Sequence, residues 1–356
     1  MKQRIEKLRN LMAGNQIDGI LITSASNRRY ISGFTGSTGY VLISEKNAAF
    51  ITDFRYVDQA KEECPDYEIV NNQRKMNEAL LEKVKQFGIR HLGFEKDFVS
   101  FSQYEQFSQL LDGVKLVPVS GLIEELRIIK DEHELSLIKK AVAIADQTFA
   151  HILNYIRPGV REKEIALEIE YYMRKQGASG VSFETIVASG VRSALPHGHA
   201  SEKVIQEGEL VTLDFGAIYQ GYVSDITRTV AVGEISPQLR KIYDVVLEAQ
   251  LAGVQNIKAG MTGKEADALC RDVIMKAGYG EAFGHSTGHG IGLDVHEAPN
   301  ASTISEVVLK PGMLLTVEPG IYLSGIGGVR IEDDILITET GNEILTQSTK
   351  ELIILG

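Results

Sequence analysis

Asp214 and Asp225 stand in the run Leu210–Val230, whose two arms are rich in β-branched and aromatic residues. That composition predicts a hairpin. A two-residue loop at Tyr219-Gln220 would set the two aspartates directly opposite each other on one face, with Cβ atoms ~5 Å apart. Like charges so placed repel, and a shared proton or a bound cation must offset the cost. Further on, His285, His289 and His296 cluster in a chain that holds only 8 histidines. Their loop is rich in glycine, which lets backbone and ligand approach closely. Glu318 and Glu332 each lie within or at the end of an apolar, strand-like run, where an unpaired charge is costly. Asp214, Asp225, Glu318, Glu332 and one neutral histidine make an oxygen-rich donor set without thiolate. Such a set suits Mn²⁺, Co²⁺, Fe²⁺ or Zn²⁺ in a catalytic role better than a structural zinc. Four carboxylates balance the charge of two divalent cations. Two such ions ~3.5–4 Å apart, sharing carboxylates and a water, form a hydrolytic centre that generates hydroxide near neutral pH and polarises a carbonyl.

These residues need a scaffold that brings distant segments together. Ile156-Arg-Pro-Gly-Val-Arg-Glu-Lys-Glu164 reappears as Ile257-Lys-Ala-Gly-Met-Thr-Gly-Lys-Glu265, and Lys175-Gln-Gly177 as Lys276-Ala-Gly278, all at one constant offset. In each copy a long helix precedes the motif, a second helix follows it, and strands come next. A fixed offset favours duplication over chance. Two similar α+β halves about a pseudo-two-fold axis would leave a crevice between them, where a shared site would sit. The first part of the chain reads differently. Ile5, Leu8, Leu11 and Met12 recur at helical spacing, and Gly19–Ile22, Tyr40–Ile43, Ala48–Thr52 and His91–Phe94 are short apolar strands, with a helix over 76–87. This is an α/β pattern of a mixed sheet with helical cover, and no catalytic cluster falls in it. Asp53 and Arg55 read as turn and surface residues. The boundary is placed at 125/126, between domains 1–125 and 126–356. The charged stretch Arg127–Glu134 reads as a solvated linker entering a helix over 133–155.

The chain has 356 residues, with 37 Lys and Arg against 48 Asp and Glu, a net charge of −11. At ~150 residues per domain the length predicts two domains. So acidic a chain has no footprint for a phosphate backbone, which argues against nucleic-acid binding. Cys64 and Cys270 form no CxxC pair, which suits a reducing compartment and excludes a thiolate zinc site. No uncharged apolar run approaches the ~18 residues of a membrane helix, and the N-terminus has no signal-peptide core. The expectation is a soluble, cytoplasmic protein.

Taken together, Asp214 and Asp225, Gly288-His289-Gly-Ile-Gly with His296 beyond it, Val317-Glu318-Pro-Gly and Val329-Arg-Ile-Glu332-Asp resemble the pita-bread metallopeptidases. That family includes methionine aminopeptidase, aminopeptidase P and prolidase. The first ~125 residues, with Asn27, Tyr30-Ile-Ser-Gly-Phe34 and Thr52-Asp-Phe-Arg-Tyr56, resemble the creatinase-type N-terminal domain of its proline-specific members. The resemblance implies a pita-bread catalytic domain with an internal pseudo-two-fold repeat. It implies two divalent ions per chain, Mn²⁺ first among Mn²⁺, Co²⁺, Zn²⁺ and Fe²⁺, held by Asp214, Asp225, His289, Glu318 and Glu332. Glu318 would also take the proton of the attacking water. His197, His285 and His296 would face the substrate, with Tyr322 and Arg330 just behind the ligands. The implied reaction is hydrolysis of an Xaa-Pro bond at the N-terminus of short peptides, by a homodimer. A dipeptidase must pair the carboxylate after the proline with a cation. Between His289 and Arg330 the one Lys or Arg is Lys310, beside a Pro311-Gly312 turn. The expectation therefore leans toward peptides longer than two residues.

Two other readings compete. Gly284-His-Ser286-Thr-Gly288 matches the G-x-S-x-G elbow of serine hydrolases, which needs a helix directly after the serine. The glycines that follow oppose one, and no histidine lies beyond Arg330. A catalytically inactive, peptide-binding member of the fold would show substituted carboxylates, and none is visible.

Overall fold

Apolar runs become strands and amphipathic runs become helices in the computed structural model, which describes residues 1–356. Two units separate, Met1–Arg127 and Ile128–Gly356. In the first, helices α1 (Lys2–Gly14), α2 (Ala25–Ser32), α3 (Val57–Glu63), α4 (Met76–Gln86), α5 (Phe101–Leu110) and α6 (Glu124–Arg127) alternate with six strands. These are β1 (Gly19–Ile22), β2 (Tyr40–Ser44), β3 (Ala48–Thr52), β4 (Glu68–Asn71), β5 (His91–Glu95) and β6 (Lys115–Val119), in the order β4-β3-β2-β1-β5-β6. The sheet is mixed, with β1 antiparallel to β2 and parallel to β5. All four residues of β1 are buried, so the strand reads as a continuous apolar run rather than an alternation. Leu80 and Val84 of α4 pack with Leu21, Leu42 and Leu92 in its core.

The second unit has two halves. The first half runs α7 (Glu132–Ile152), α8 (Glu162–Lys175), β7 (Gly180–Val181), β8 (Ile186–Ser189), β9 (Glu209–Phe215), β10 (Ala217–Tyr219), β11 (Tyr222–Val223) and β12 (Ile226–Val232). The second half runs α9 (Pro237–Asn256), α10 (Gly263–Lys276), β13 (Gly288–Gly290), β14 (Glu297–Ala301), β15 (Leu314–Val317), β16 (Gly320–Leu323), β17 (Gly327–Arg330), β18 (Asp333–Ile337) and β19 (Asn342–Ile344), and β20 (Ile354–Leu355) returns to pair with β12. Each half keeps a core of its own, around Ile165, Ile169 and Leu213 in one and Ile242, Ile274 and Leu315 in the other.

The repeat is visible bond by bond. Helices α8 and α10 are both 14 residues long. Ahead of each lies a glycine in the left-handed region, Gly159 at φ 93° and Gly260 at φ 89°. Its N–H donates to a returning segment, to Ile205 O at 3.0 Å and to Leu309 O at 2.9 Å. Behind each helix Gly177 and Gly278 take φ 104° and 87°, the left-handed turn that ends a helix without a Cβ penalty. Duplication thus repeats the turn chemistry as well as the helices.

Two expectations need correction. The hairpin turns at Gln220-Gly221, with φ 45° and 83°, rather than at Tyr219-Gln220. A two-residue turn of this kind requires positive φ at both central positions, which Gly221 supplies and Tyr219 would resist. The register moves accordingly: Asp214 faces Thr227, and Asp225 lies just ahead of β12. The charged stretch Arg127–Glu134 is solvated only in part, with Asp131, Glu132 and His133 exposed. Arg127, Lys130 and Glu134 are buried. Arg127 donates to Asn27 Oδ1 at 2.7 Å, and Lys130 pairs with Glu297 at 3.3 Å. The helix that follows begins at Glu132 and ends at Ile152, opened by a capping box between Asp131 and Glu134. No helix is long and apolar enough to cross a membrane.

Candidate metal centre

A cavity of about 570 Å³ in the second unit is lined by Asp214, Asp225, His289, Glu318 and Glu332, and also by His197, His285, His296, Tyr322 and Arg330. Both halves build it. Asp214 comes from β9, and Asp225 from the segment before β12. His289 comes from β13, Glu318 follows β15, and Glu332 lies between β17 and β18. Gly288 is required beside His289, because a Cβ there would meet Thr316 O at 1.8 Å.

Ligand atoms of Asp225, His289 and Glu332 lie within 4.8 Å of one another, all three residues buried. His289 Nε2 is 3.8 Å from Asp225 Oδ2 and 3.5 Å from Glu318 Oε1. His289 Nδ1 is 3.1 Å from Gly290 O. Donation from Nδ1 to that carbonyl leaves the Nε2 lone pair facing the carboxylates. Asp214 Oδ1 and Asp225 Oδ1 are buried and lack any hydrogen-bond partner. A native interior rarely leaves such oxygens unsatisfied. Burial, then the neighbouring carboxylates, raises Asp225 and Glu332 well above the usual range. Burial also pushes Glu318 up to about 8 and His289 down to about 4. Five donors crowded out of water, two with orphaned oxygens, fit divalent cations on both charge and donor chemistry.

Beside the donors runs a chain of hydrogen bonds. Arg330 Nη2 donates to Asp214 Oδ2, and Arg330 Nη1 donates to the Tyr322 hydroxyl at 2.8 Å. The Tyr322 oxygen is in turn 2.8 Å from His285 Nε2. His285 Nδ1 lies 2.8 Å from Ser286 O, so that nitrogen donates and Nε2 accepts from Tyr322. Burial pushes His285 down to about 4, so it is neutral at pH 7. The His296 ring packs edge-on against His289, centroids 4.4 Å apart. His197 shares a loop with Pro196, whose carbonyl accepts from Arg330 Nη1 at 3.3 Å.

Several residues of the site were not singled out from the sequence. Thr227 Oγ1 donates to Glu332 Oε2 at 2.6 Å and accepts from Arg330 Nε at 3.1 Å. Thr316 Oγ1 accepts from His289 N at 3.0 Å. Buried Arg228 donates to the carbonyls of Thr227 and Glu332 and pairs with Asp333 at 2.7 Å. Phe183, Glu184 and His199 line the cavity, with Glu184 and His199 3.6 Å apart at its exposed rim. The corrected hairpin register is the signal that would have marked Thr227, and the Pro196-His-Gly-His199 spacing the one for His199.

Ser286 also lines the cavity, but its hydroxyl makes no hydrogen bond to a histidine. The strand Gly288–Gly290 follows it instead of a helix. The elbow geometry of a serine nucleophile is therefore absent.

Comparison with known proteins agrees with this architecture. The model of metallopeptidase family M24 matches residues 136–339, and that of the Creatinase/Prolidase N-terminal domain matches residues 4–129. A solved Xaa-Pro dipeptidase from Bacillus anthracis is 58% identical, with TM-score 0.98 over 99% of both chains. A solved X-Pro aminopeptidase from Thermotoga maritima MSB8 is 42% identical, with TM-score 0.92 over 98% of this chain and 99% of that one. The Xaa-Pro dipeptidase of Pyrococcus horikoshii is 43% identical over 99% of each chain. The α/β unit is thus a creatinase-type N-terminal domain, the two-half unit has the pita-bread fold, and the chain belongs to metallopeptidase family M24, in its Xaa-Pro peptidase branch.

Proposed function

We propose that the protein hydrolyses the bond between an N-terminal residue and a following proline, with two divalent ions, Mn²⁺ first among them, held by Asp214, Asp225, His289, Glu318 and Glu332. The observation that carries this reading is the gathering of three buried carboxylates, the partly buried Glu318 and one neutral imidazole in a single cavity, with Asp214 Oδ1 and Asp225 Oδ1 unpartnered. Metal ions bound there supply Lewis acidity to the scissile carbonyl and acidify a water. Glu318, which lines the cavity beside the other proposed metal-holding side chains, takes the proton of the attacking water and passes it to the departing proline nitrogen. That nitrogen carries no hydrogen in the substrate, so the site needs no acceptor for it before cleavage. His285 and Tyr322, locked to Arg330, present neutral polar groups to the peptide, and His197 and His296 line its path.

Substrate length follows from charge. The one Lys or Arg lining the cavity is Arg330, already engaged by Asp214, Tyr322 and Pro196 O. Lys310 is exposed. Within the cavity of one chain a carboxylate directly after the proline therefore finds no free guanidinium or ammonium, and unless Arg55, His197, Arg330 or a second subunit supplies its partner, tripeptides should be the better substrates. The test is kcat/KM of the metal-loaded protein on Ala-Pro-Ala, Ala-Pro and Ala-Ala. The expected order is Ala-Pro-Ala, then Ala-Pro, with Ala-Ala far behind. Strong preference for Ala-Pro would overturn the length assignment. Cleavage of neither proline peptide, with release of N-terminal methionine from other peptides, would overturn the proline assignment.

A further inference from the structure

Each half of the catalytic unit hides one acid–arginine pair whose guanidinium reaches the backbone of a cavity histidine. In the second half Asp267 and Arg271, four residues apart on α10, pair through Nε at 2.6 Å and Nη2 at 2.9 Å. Arg271 Nη2 also donates to His285 O at 2.8 Å, and Nη1 to Phe283 O at 3.0 Å. The guanidinium covers the Phe283 ring 4.3 Å from its centroid, and that ring meets the His285 imidazole edge-on at 5.0 Å. In the first half fully buried Glu162 holds Arg192 Nε at 3.0 Å, and Arg192 Nη2 donates to His199 O at 2.7 Å. The two acids do not occupy equivalent repeat positions, since Glu162 corresponds to Gly263. The same device has therefore been built twice from different residues.

Resting on the reading of His285 as substrate-facing, we infer that Arg271 is a positioning residue that acts through His285. Arg271 lines no part of the cavity and touches no carboxylate of the metal set. Its bonds hold the Phe283 carbonyl and His285's own carbonyl, and the Phe283 ring packs edge-on against the imidazole. With the backbone pinned, His285 Nε2 meets the Tyr322 hydroxyl, and Tyr322 meets Arg330. A guanidinium is needed because one planar group must pair with Asp267 and still reach two carbonyls; an ammonium has no such fork. Asp267 keeps a separate duty, accepting from Thr287 N at 3.0 Å and Thr287 Oγ1 at 2.9 Å. Thr287 O then accepts from Glu318 N at 2.8 Å. Arg271 therefore serves the His285 side of the cavity, and Asp267 also serves the Glu318 side.

The test is a double-substitution cycle on the full-length, metal-loaded protein, using Arg271→Lys and His285→Ala and reading Ala-Pro-Ala hydrolysis and bound metal. Arg271→Lys should lower kcat/KM by about tenfold with metal content unchanged, yet lower it by less than about twofold when His285 is already alanine, as coupled residues do. A merely structural arginine would give the same loss in both backgrounds, and that additivity would overturn the inference. So would full activity of Arg271→Lys. If His285→Ala alone leaves hydrolysis intact, the reading of His285 fails, and the inference fails with it. Should Arg271→Lys not fold, Arg271→Gln replaces it in the same cycle, because a glutamine amide cannot pair with Asp267 and reach both carbonyls at once. Additivity there would equally overturn the inference.

Discussion

Thr227 grips Glu332 twice: its hydroxyl donates to Glu332 Oε2 at 2.6 Å, and its carbonyl accepts from Glu332 N at 3.1 Å. Thr227 belongs to the first half of the catalytic unit and Glu332 to the second. One residue thereby aims a carboxylate and joins the two halves at the site. Thr227→Val keeps the shape and the carbonyl but loses the hydroxyl. Residues that orient metal ligands typically carry 10–100-fold of metal affinity, and a loss of about that size is expected. Competition with a fluorescent chelator measures it, and Thr227→Ser should restore most of the loss.

Glu318 is expected to separate catalysis from binding. Glu318→Gln keeps the shape and removes the proton acceptor, so kcat should fall ~10²–10⁴-fold while KM changes little. Steady-state kinetics on Ala-Pro-Ala decide this. A variant that keeps more than about a tenth of the parent kcat contradicts a general-base role.

The metal-free protein should lose stability as pH rises above neutrality. Glu318 ordinarily titrates at 4.5 and is pushed up to about 8 by burial. Between those values the folded chain holds a proton that the unfolded chain has released, so this contribution is present at low pH and lost as pH climbs through 8. Asp225 and Glu332, also raised, act with the same sign. His285 and His289, lowered to about 4, act oppositely, but only between about 4 and their ordinary 6.5. Above pH 6.5 the carboxylates alone remain. The melting temperature of chelated protein should drop by a few degrees between about pH 6.5 and 8, and metal should abolish the drop. A chelated protein equally stable at both ends would contradict this burial of carboxylates.

The sequence made the local layers legible and left out what depends on register and long-range pairing. Strands Gly19–Ile22 and Ala48–Thr52 follow from short apolar runs bounded by turn residues. The repeat was readable because Gly159 and Gly260, and Gly177 and Gly278, mark the same left-handed turns. All ten site residues line one cavity: seven stand out as charged or polar residues in glycine-rich and apolar strand contexts, against what burial normally allows, whereas His197, Tyr322 and Arg330 follow from the family resemblance alone. The hairpin register was misread because Gln220, a residue with a Cβ, adopts φ 45°. Thr227 and Arg228 were invisible for the same reason, since their tethering roles depend on that register. The burial of Arg127 and Lys130 was hidden because Asn27 and Glu297 lie far away in sequence. No local pattern announces such partners.

The central claim, that this cavity works as a two-metal hydrolytic centre, is tested most directly by titrating chelated protein with Mn²⁺ while following bound metal and Ala-Pro-Ala hydrolysis together. Chelation should abolish hydrolysis, and activity should return as bound metal rises to about two ions per chain. In Asp225→Asn, which loses one charge and one donor, less metal should bind and activity should stay absent. Hydrolysis that persists without divalent metal would contradict the claim, as would protein that binds none of Mn²⁺, Co²⁺ or Zn²⁺.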